Sequence, residues 1–439
     1  MIEAWICVAV ALSVYYGNLH GPLLIIAIGG AAHIIWTKLL NCKGILRNRP
    51  VDTASLPSRK DHDRRRYETY PHNAVANTWY QICDSDELKD GRVIEVRALG
   101  QTLAVWRSSD GQPVCHDAFC LHLGANLGVG GKVVDDCIQC PFHKWKFDSN
   151  GCIKEIPYLK NPSLCPQNAK LKTYPCVDWC GLVCVYFHAD GVPPEFSLPD
   201  WVPNQLKEEE WAPHMKWDIG YLTLTPIDWV DQAGDHAHFH TLHNEFLIPY
   251  TTIPIPQWLT NIFPVGISHE LVTYKGDDKE WEEKMKEVGM GTVDKHLIYF
   301  TDKAGLTWKG KVMPTTLSET LEMYIGPAMM SFHIPFTIGA FKVFVNTTPV
   351  EGGCVMRVRT WVDKRVRQSL FKQFIAWLLV GVSSSQLASD IDILENKIRN
   401  RRPILVPFDG PYNRTSSWLR QFYSKSSADV GQNAYNNDW

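Results

Sequence analysis

Two cysteines and two histidines form the pattern that most restricts how this chain can fold. Cys120 and His122 stand in the run CLHLG, and after seventeen intervening residues Cys140 and His143 stand in CPFHKW. Two thiolates on one iron and two imidazoles on the other suit a two-iron, two-sulfur cluster of raised reduction potential. Zinc also binds two Cys and two His, but finger-type zinc sites usually pair Cys with Cys and His with His. The mixed halves therefore predict a [2Fe-2S] cluster that transfers single electrons.

The residues around the four ligands narrow the type of domain. CLHLGANL and CPFHKWKFD resemble the Rieske domain of ring-hydroxylating and related non-haem iron oxygenases. Rieske proteins of respiratory complexes carry extra cysteines that link the two loops, whereas this chain has Ala125 and Phe142 at those places. Lys144 is a departure, since the oxygenases usually have glycine after the second histidine. The resemblance implies an oxygenase-type Rieske domain without a disulfide between its loops.

The composition is that of a globular protein with more than one domain. The chain has 439 residues, of which 45% are hydrophobic, and a formal net charge of -3. This balance gives no support to nucleic-acid binding. The thirteen cysteines are odd in number and lie without dense spacing, which favours a reducing compartment over a disulfide scaffold.

The first segment, 1–41, is predicted to anchor the chain in a membrane. Its second apolar run, from Pro22 to Leu40, has nineteen residues with no charged side chain before Lys38. Such a run is long enough to span a bilayer, alone or as half of a helical hairpin. A cleaved signal peptide is the alternative, but Glu3 stands where that peptide would carry positive charge.

A basic linker is predicted from 42 to 72. It contains the triplet Arg64, Arg65 and Arg66 and several prolines, a composition typical of a segment that lies along a membrane surface. By the positive-inside rule, these charges leave the body of the protein in the cytosol. We expect the membrane to be that of the endoplasmic reticulum.

Two folded domains and a tail are predicted after the linker. In 73–188, short β-rich stretches alternate with turns, which predicts an antiparallel β domain. In 189–423, β-rich segments mix with helix-like ones around 227–243 and 368–399, which predicts a second, α+β domain. The resemblance to the oxygenases implies that this domain is helix-grip-like. Residues 424–439 form a polar tail. The predicted fold class is therefore α+β, with an N-terminal transmembrane anchor and an antiparallel β cluster domain.

A second metal site is predicted in DQAGDHAHFHTLH, where four histidines and two aspartates occupy thirteen residues. On a continuous helix, neighbours fall at i+3 and i+4, so geometry alone favours a pair made of His236 and His240. The segment resembles the oxygenase motif Asp, two residues, His, four residues, His, which maps onto Asp235, His238 and His243. The resemblance implies that His238 and His243 bind iron and that the helix bends or ends between them.

A carboxylate is still needed, since non-haem Fe(II) oxygenases hold iron by two histidines and one carboxylate. In the family that the motif resembles, it comes from a helix far toward the C-terminus. The stretch SDIDILENK is similar to that helix and implies Asp390 as the ligand, with Asp392 and Glu395 as alternatives. Taken alone, any of these acidic residues would suit a solvated helix face paired with Lys397.

Asp235 has a different role in that family. The resemblance implies that it bridges a histidine on the mononuclear iron to His143 of a neighbouring subunit, which requires a head-to-tail ring, usually a trimer. A carboxylate that accepts hydrogen bonds from imidazole N–H groups also orients the rings. Asp235 is therefore the predicted catalytic residue beyond the metal ligands.

The chain has no GxGxxG after a strand and no flavin fingerprint. Electrons from NAD(P)H would thus reach the cluster through a separate reductase or ferredoxin and pass to the iron, where O2 is activated. The whole layout looks like the Neverland family of sterol 7-desaturases, and the resemblance implies conversion of cholesterol to 7-dehydrocholesterol in steroid biosynthesis. Two alternatives stay open: hydroxylation of a steroid or other hydrophobic substrate, and a membrane Rieske electron carrier whose histidine-rich segment is structural.

Overall fold

The computed structural model describes residues 75–428 and 430, apart from 90, 245, 276, 289–293, 338 and 398–402. The predicted anchor, linker and most of the tail lie outside the described residues. Within them, a domain of antiparallel sheets precedes a mixed domain, which confirms the predicted α+β class.

Short antiparallel strands build the first domain. They are β1 Thr78–Asp84, β2 Ile94–Ala98, β3 Gln101–Arg107, β4 Pro113–Asp117, β5 Lys132–Val134, β6 Cys137–Gln139, β7 Lys146–Phe147, β8 Ile153–Glu155, β9 Thr173–Tyr174, β10 Cys176–Trp179 and β11 Leu182–Phe187. They pair in the orders β1-β11-β10, β2-β3-β4-β9 and β5-β6-β7-β8. Cys180 and Gly181 join β10 to β11 with φ of 54° and 78°. Two positive φ angles in a two-residue loop match the twist of an antiparallel hairpin.

A large antiparallel sheet forms the second domain, in the order β12-β20-β19-β18-β17-β15-β13, with β14 and β16 also paired to β15. Its strands are β12 Ala212–Leu222, β13 Val265–Ser268, β14 Leu271–Lys275, β15 Leu297–Trp308, β16 Lys311–Val312, β17 Ser318–Ile325, β18 Met329–Phe336, β19 Gly339–Val350 and β20 Gly353–Val362. Its helices are α1 Trp201–Glu208, α2 Pro226–Ala233, α3 Ala237–Thr241, α4 Gln257–Ile262, α5 Lys279–Val288, α6 Lys364–Arg367, α7 Leu370–Leu394 and α8 Tyr412–Leu419.

Helix α7 is the long helix of this domain, and it is fixed by a loop that lies before β13. The backbone N–H of Tyr250 donates to the carbonyl of Gly381 at 2.9 Å, and that of Thr251 to Oγ of Ser385 at 3.1 Å. A Cβ at Gly381 would lie 2.5 Å from the Tyr250 ring, so only glycine permits this approach. Among the described helices, α7 is long and apolar enough to cross a membrane by length and composition. However, its Ser384, Ser385 and Asp390 are buried inside the domain.

Buried polar contacts join β1 to the large sheet. The guanidinium of Arg359 on β20 donates from Nε and Nη2 to the two carboxylate oxygens of Asp84, both at 2.8 Å. Nearby, the side-chain amide of Asn346 donates to Oε1 of Gln81 at 2.8 Å. The three-stranded sheet of the first domain is therefore fixed against the large antiparallel sheet of the second domain. The start of the predicted tail packs there too, since Ser427 is buried and accepts a hydrogen bond from the Val75 N–H.

Candidate metal centres

The structure brings the four predicted cluster ligands together. Cys120 and His122 lie on the loop after β4, and Cys140 and His143 lie on the loop after β6. The thiols are buried, while the imidazoles are half-buried with their ring centroids 4.7 Å apart. The set therefore has a thiol side facing the protein interior and an imidazole side facing the surface.

The surroundings of these side chains suit a cluster with two thiolate and two imidazole ligands. Burial raises the pKa of the Cys120 thiol to about 11, and the backbone N–H groups of His122 and Leu123, which donate to its sulfur, oppose that shift. Such donors favour a thiolate. Trp145 stacks on His122 at 4.8 Å, and the buried Nδ1 of His122 has no hydrogen-bond partner in the described chain. An iron ligated there would satisfy that nitrogen, so these residues fit the group.

The two loops have the same turn, and Lys144 occupies a strained position in the second. The N–H of Gly124 donates to the Cys120 carbonyl at 2.9 Å, and that of Lys144 donates to the Cys140 carbonyl at 3.2 Å. Their φ angles are 70° and 63°. A left-handed backbone favours glycine, which is why the departure noted at Lys144 matters. Its ammonium donates to the Pro141 carbonyl at 2.9 Å and partly offsets the strain.

A second set of ligand atoms meets at the end of α3. One side-chain atom each from His238, His243 and Asp390 lies within 4.8 Å of the others. Nε2 of His243 is 3.1 Å from Oδ1 of Asp390, yet that oxygen has no hydrogen bond in the described chain. Burial lowers the pKa of His238 and so favours the neutral imidazole that a metal ligand requires. Two imidazoles and a buried carboxylate with an unsatisfied oxygen fit a non-haem iron.

The local chain geometry explains which histidines meet. Helix α3 ends at Thr241, so His243 leaves the helical path and reaches the same point as His238. His236 instead bonds through Nε2 to the Thr273 hydroxyl at 2.9 Å, and His240 is exposed. The His236 and His240 pair that continuous helix geometry favours does not form.

Among the three carboxylates considered on α7, only Asp390 faces the histidines. Asp392 is exposed. Oε1 of Glu395 accepts a hydrogen bond from the Thr223 N–H at 2.9 Å, at the end of β12. The Asp392 side chain therefore faces solvent, and that of Glu395 makes a structural contact with β12.

Asp235 lies at the start of the His-containing segment and holds its first turn. Its carbonyl accepts a hydrogen bond from Nδ1 of His238, and its carboxylate accepts one from the Ala237 N–H at 3.1 Å. With Nδ1 protonated, Nε2 of His238 keeps its lone pair, and the Gln232 amide nitrogen lies 3.3 Å from it. The Asp235 carboxylate is half-buried. A bridge to a second subunit stays a prediction, since the structure is of one chain.

A cavity of about 780 Å³ extends from this histidine pair between the large sheet and α7. Its wall is largely apolar and aromatic, and it includes Trp217, Phe239, Phe300, Phe332, Leu379 and Leu387. A cavity of this size and character suits a hydrophobic small molecule.

Three polar residues of this cavity were not identified from the sequence. Nδ1 of His269 lies 2.7 Å from the Asp302 carboxylate, and both side chains are buried. Glu322 projects from β17, and its burial, followed by the charges of Asp302 and Asp390, raises its pKa to about 8. The strand SETLEMYI gave no signal for Glu322, because the face that carries it also holds Ser318, Thr320 and Tyr324.

Comparison with known proteins identifies relatives for both domains. A family model described as the Rieske [2Fe-2S] domain matches residues 78–175, and one described as the 3-ketosteroid 9alpha-hydroxylase C-terminal domain matches 185–423. Cholesterol 7-desaturase of Caenorhabditis elegans is 30% identical over 390 residues, which cover 88% of this chain and 83% of the relative. Cholesterol 7-desaturase nvd of Drosophila melanogaster is 30% identical, with coverage of 83% and 78%.

More distant likenesses extend to bacteria. The oxygenase component of 3-ketosteroid-9-alpha-monooxygenase from Rhodococcus rhodochrous is 26% identical, with coverage of 79% of this chain and 82% of the relative. Among solved structures, dicamba monooxygenase bound to dicamba superposes with a TM-score of 0.54 at 16% identity, covering 81% of this chain and 98% of that chain. At such identity the structural likeness concerns the fold alone.

Proposed function

Because the chain belongs to the Rieske oxygenases that pair a Rieske [2Fe-2S] domain with a 3-ketosteroid 9α-hydroxylase C-terminal domain, we propose that it converts cholesterol to 7-dehydrocholesterol. It is an oxidoreductase with a [2Fe-2S] cluster and a mononuclear iron, served by a separate reductase. The balanced reaction takes two hydrogens from the sterol and two electrons from NAD(P)H through the reductase. Together with two protons, one released by NAD(P)H as it gives up its hydride and one from solution, they reduce O2 to two waters.

The observation that carries the proposal is the meeting of His238, His243 and Asp390 at one end of an apolar cavity. We assign these three to the mononuclear iron, and Cys120, His122, Cys140 and His143 to the cluster. When bound, these groups supply single-electron transfer and activation of dioxygen for oxidation of a C–H bond.

The chain's own residues prepare this chemistry. The hydrogen bond to the Asp235 carbonyl fixes the ring and the tautomer of His238, which leaves Nε2 as the ligand atom. The apolar wall around the triad excludes bulk water from the reacting carbon. The cavity volume of about 780 Å³ lies in the upper range of small-molecule sites and suits a substrate as large as a sterol.

Asp235 and the surface around the cluster support assembly into a head-to-tail ring. Leu123 and Phe142, beside the two cluster histidines, are 65% and 61% exposed. Large exposed apolar side chains around a redox centre mark a docking face. We infer that this face meets the Asp235 region of another subunit, with a trimer as the expected ring, and that the Asp235 carboxylate then bridges to His143.

The mouth of the cavity supports action at a membrane. Leu306 on β15 and Leu317, just before β17, line the cavity and are exposed, and Trp308 at the end of β15 is 41% exposed. Exposed Lys309 and Lys311 flank these apolar side chains. An apolar surface with cations fits the anionic face of a bilayer. We infer that the N-terminal apolar segment and this mouth hold the cytosolic body on the membrane from which the sterol enters.

The test is incubation of the anaerobically purified holoenzyme with cholesterol, reductase, NADPH and 18O2, followed by mass spectrometry. We expect a sterol lighter by two hydrogens and without 18O. A hydroxylated sterol that carries 18O would support the second candidate, steroid hydroxylation, which the likeness to the Rhodococcus monooxygenase favours. His238→Ala is the control, since it should keep the visible spectrum of the cluster and lose turnover.

The electron-carrier alternative does not account for the second site. A carrier needs neither a C-terminal domain of the hydroxylase type nor a buried triad that opens on a cavity. Oxygen consumption that depends on His243 would separate the two functions directly.

A further inference from the structure

A buried polar cluster lies in the wall of the cavity beside the candidate iron triad. Oδ2 of Asp302 accepts from Nδ1 of His269 at 2.7 Å, and Oδ1 accepts from the Glu270 N–H at 3.2 Å. Nε2 of His269 is buried and has no hydrogen-bond partner in the described chain. The Phe239 ring lies 5.4 Å from the His269 ring and 4.2 Å from that of His238. The cluster is thus close to the reacting end of the cavity.

Glu322 completes the cluster through the register of the sheet. Asp302 is paired with Thr320, and Phe300 with Glu322, across the β15–β17 ladder. Asp302 and Glu322 are therefore diagonal neighbours on the same face, about 7 Å apart. Within the part of the chain that the structure describes, no protein hydrogen bond is recorded for the Glu322 carboxyl, which lines the cavity.

These unsatisfied groups stand out against their surroundings. Ile267 on β13, Leu271 on β14 and Phe300 on β15 line the same cavity, and α7 contributes Leu379 and Val380. A polar group in an apolar site costs free energy unless a partner meets it. The wall is largely apolar, and at this cluster it complements a polar group of an otherwise apolar ligand.

We propose that Glu322 and His269, with Asp302 holding the imidazole, form a subsite that binds the single hydroxyl of the sterol. This inference rests on the proposed function and specifies how its substrate is held. An alcohol is both a donor and an acceptor, so it can satisfy both groups whichever of them carries the proton. A carboxyl accepts from an alcohol O–H in either protonation state.

The subsite also sets the direction in which the sterol enters. Leu306 lies at the exposed mouth, and Asp302 comes four residues earlier on β15, which corresponds to about 13 Å of strand. The hydroxyl end of the sterol therefore lies deep, near the triad, and the alkyl side chain lies toward the apolar mouth. One hydrogen bond at the deep end fixes which ring carbon faces the metal site.

The experiment measures equilibrium binding of cholesterol and of cholest-5-ene, which lacks the hydroxyl, to the holoenzyme and its variants, together with kcat and KM for desaturation. Glu322→Leu should weaken cholesterol binding about 10-fold, the equivalent of about 1.4 kcal/mol for one hydrogen bond. Binding of cholest-5-ene should stay within about 2-fold of wild type. Glu322→Gln, which still hydrogen-bonds, should recover most of the loss, and His269→Phe should behave like Glu322→Leu. Glu280→Gln, an exposed carboxylate on α5, should change neither ligand's affinity.

The outcomes separate this inference from the proposed function. If wild type binds and desaturates cholesterol but Glu322→Leu discriminates between the two sterols as well as wild type does, the subsite is wrong and the function stands. Equal loss of both sterols in Glu322→Leu would also overturn it, since that result indicates a packing defect. If wild type neither binds nor oxidises any sterol, the proposed function fails first.

Discussion

Replacement of Asp390 by asparagine removes one negative charge from the candidate mononuclear iron site while it preserves the shape of the side chain. The carboxylate oxygen lies within 4.8 Å of the ligand atoms of both histidines. This value is an upper limit for the distance between that oxygen and a cation bound by all three side chains. At that distance and an effective dielectric constant of about 20, the carboxylate charge contributes about 3.5 kcal/mol for each positive charge on the bound cation. Iron(II) affinity should therefore fall at least about 300-fold.

The assay is anaerobic equilibrium dialysis against iron(II), with the visible spectrum of the cluster recorded on the same samples. Asp390→Asn should lose the mononuclear iron and keep the cluster. Asp392→Asn is the matched control, because Asp392 lies two residues away on α7 and is exposed. Full iron content and turnover in Asp390→Asn, or loss of iron in Asp392→Asn, would refute the assignment.

Three further changes test other parts of the structure. Asp235→Asn should slow electron transfer from the cluster to the iron by about 10-fold to 100-fold, as measured by rapid-freeze kinetics, while the iron content falls by a smaller factor. An iron content that falls by a larger factor than the transfer rate would contradict the bridge. Arg359→Met should lower the free energy of unfolding by about 3 to 5 kcal/mol in urea, because it leaves the Asp84 carboxylate buried without its main partner. A loss below about 1 kcal/mol would contradict the role of this ion pair. Adding Asp84→Asn to Arg359→Met should restore part of the lost free energy of unfolding. Burial lowers the pKa of Lys342 from 10.5 to about 8, so unfolding takes up a proton between these two pH values. Below pH 8 the buried ammonium is charged in the folded protein, and its burial then lowers the free energy of unfolding by the full amount. Lys342→Met should then stabilise the protein at pH 7 by up to about 3 kcal/mol, less its lost contact with Trp211, and this gain should vanish toward pH 10.5; a gain that does not change with pH would refute it.

That the four side chains assigned to the cluster meet could be predicted from the sequence, because each pair is local. Cys120 and His122 lie on one turn, Cys140 and His143 on another, and the spacing within each turn specifies the geometry. The strain at Lys144 could not be predicted from spacing alone. It depends on a backbone φ of 63°, which only the folded loop defines.

The second site shows the limit of helix geometry. A continuous helix would have paired His236 with His240, but α3 is only five residues long and ends before His243. The resemblance to the oxygenase motif predicted that His238 and His243 meet, whereas helical periodicity did not. Asp390 lies 147 residues beyond His243 in the sequence, so only the packing of α7 against the sheet brings them together.

The polar cluster in the cavity was missed because it is wholly non-local. His269, Asp302 and Glu322 lie on or beside three different strands, and only the register of β15 with β17 places the two carboxyl groups on one face. No single stretch of the sequence contains a recognisable motif for such a site.

The most direct test of the central claim is to count iron and acid-labile sulfide in the anaerobically purified chain. Two different centres in one protein predict about three irons and two sulfides per chain, with one iron removable by a mild chelator without change in the cluster's spectrum. Zinc in place of iron, or two irons with two sulfides and no further iron after loading, would contradict the account.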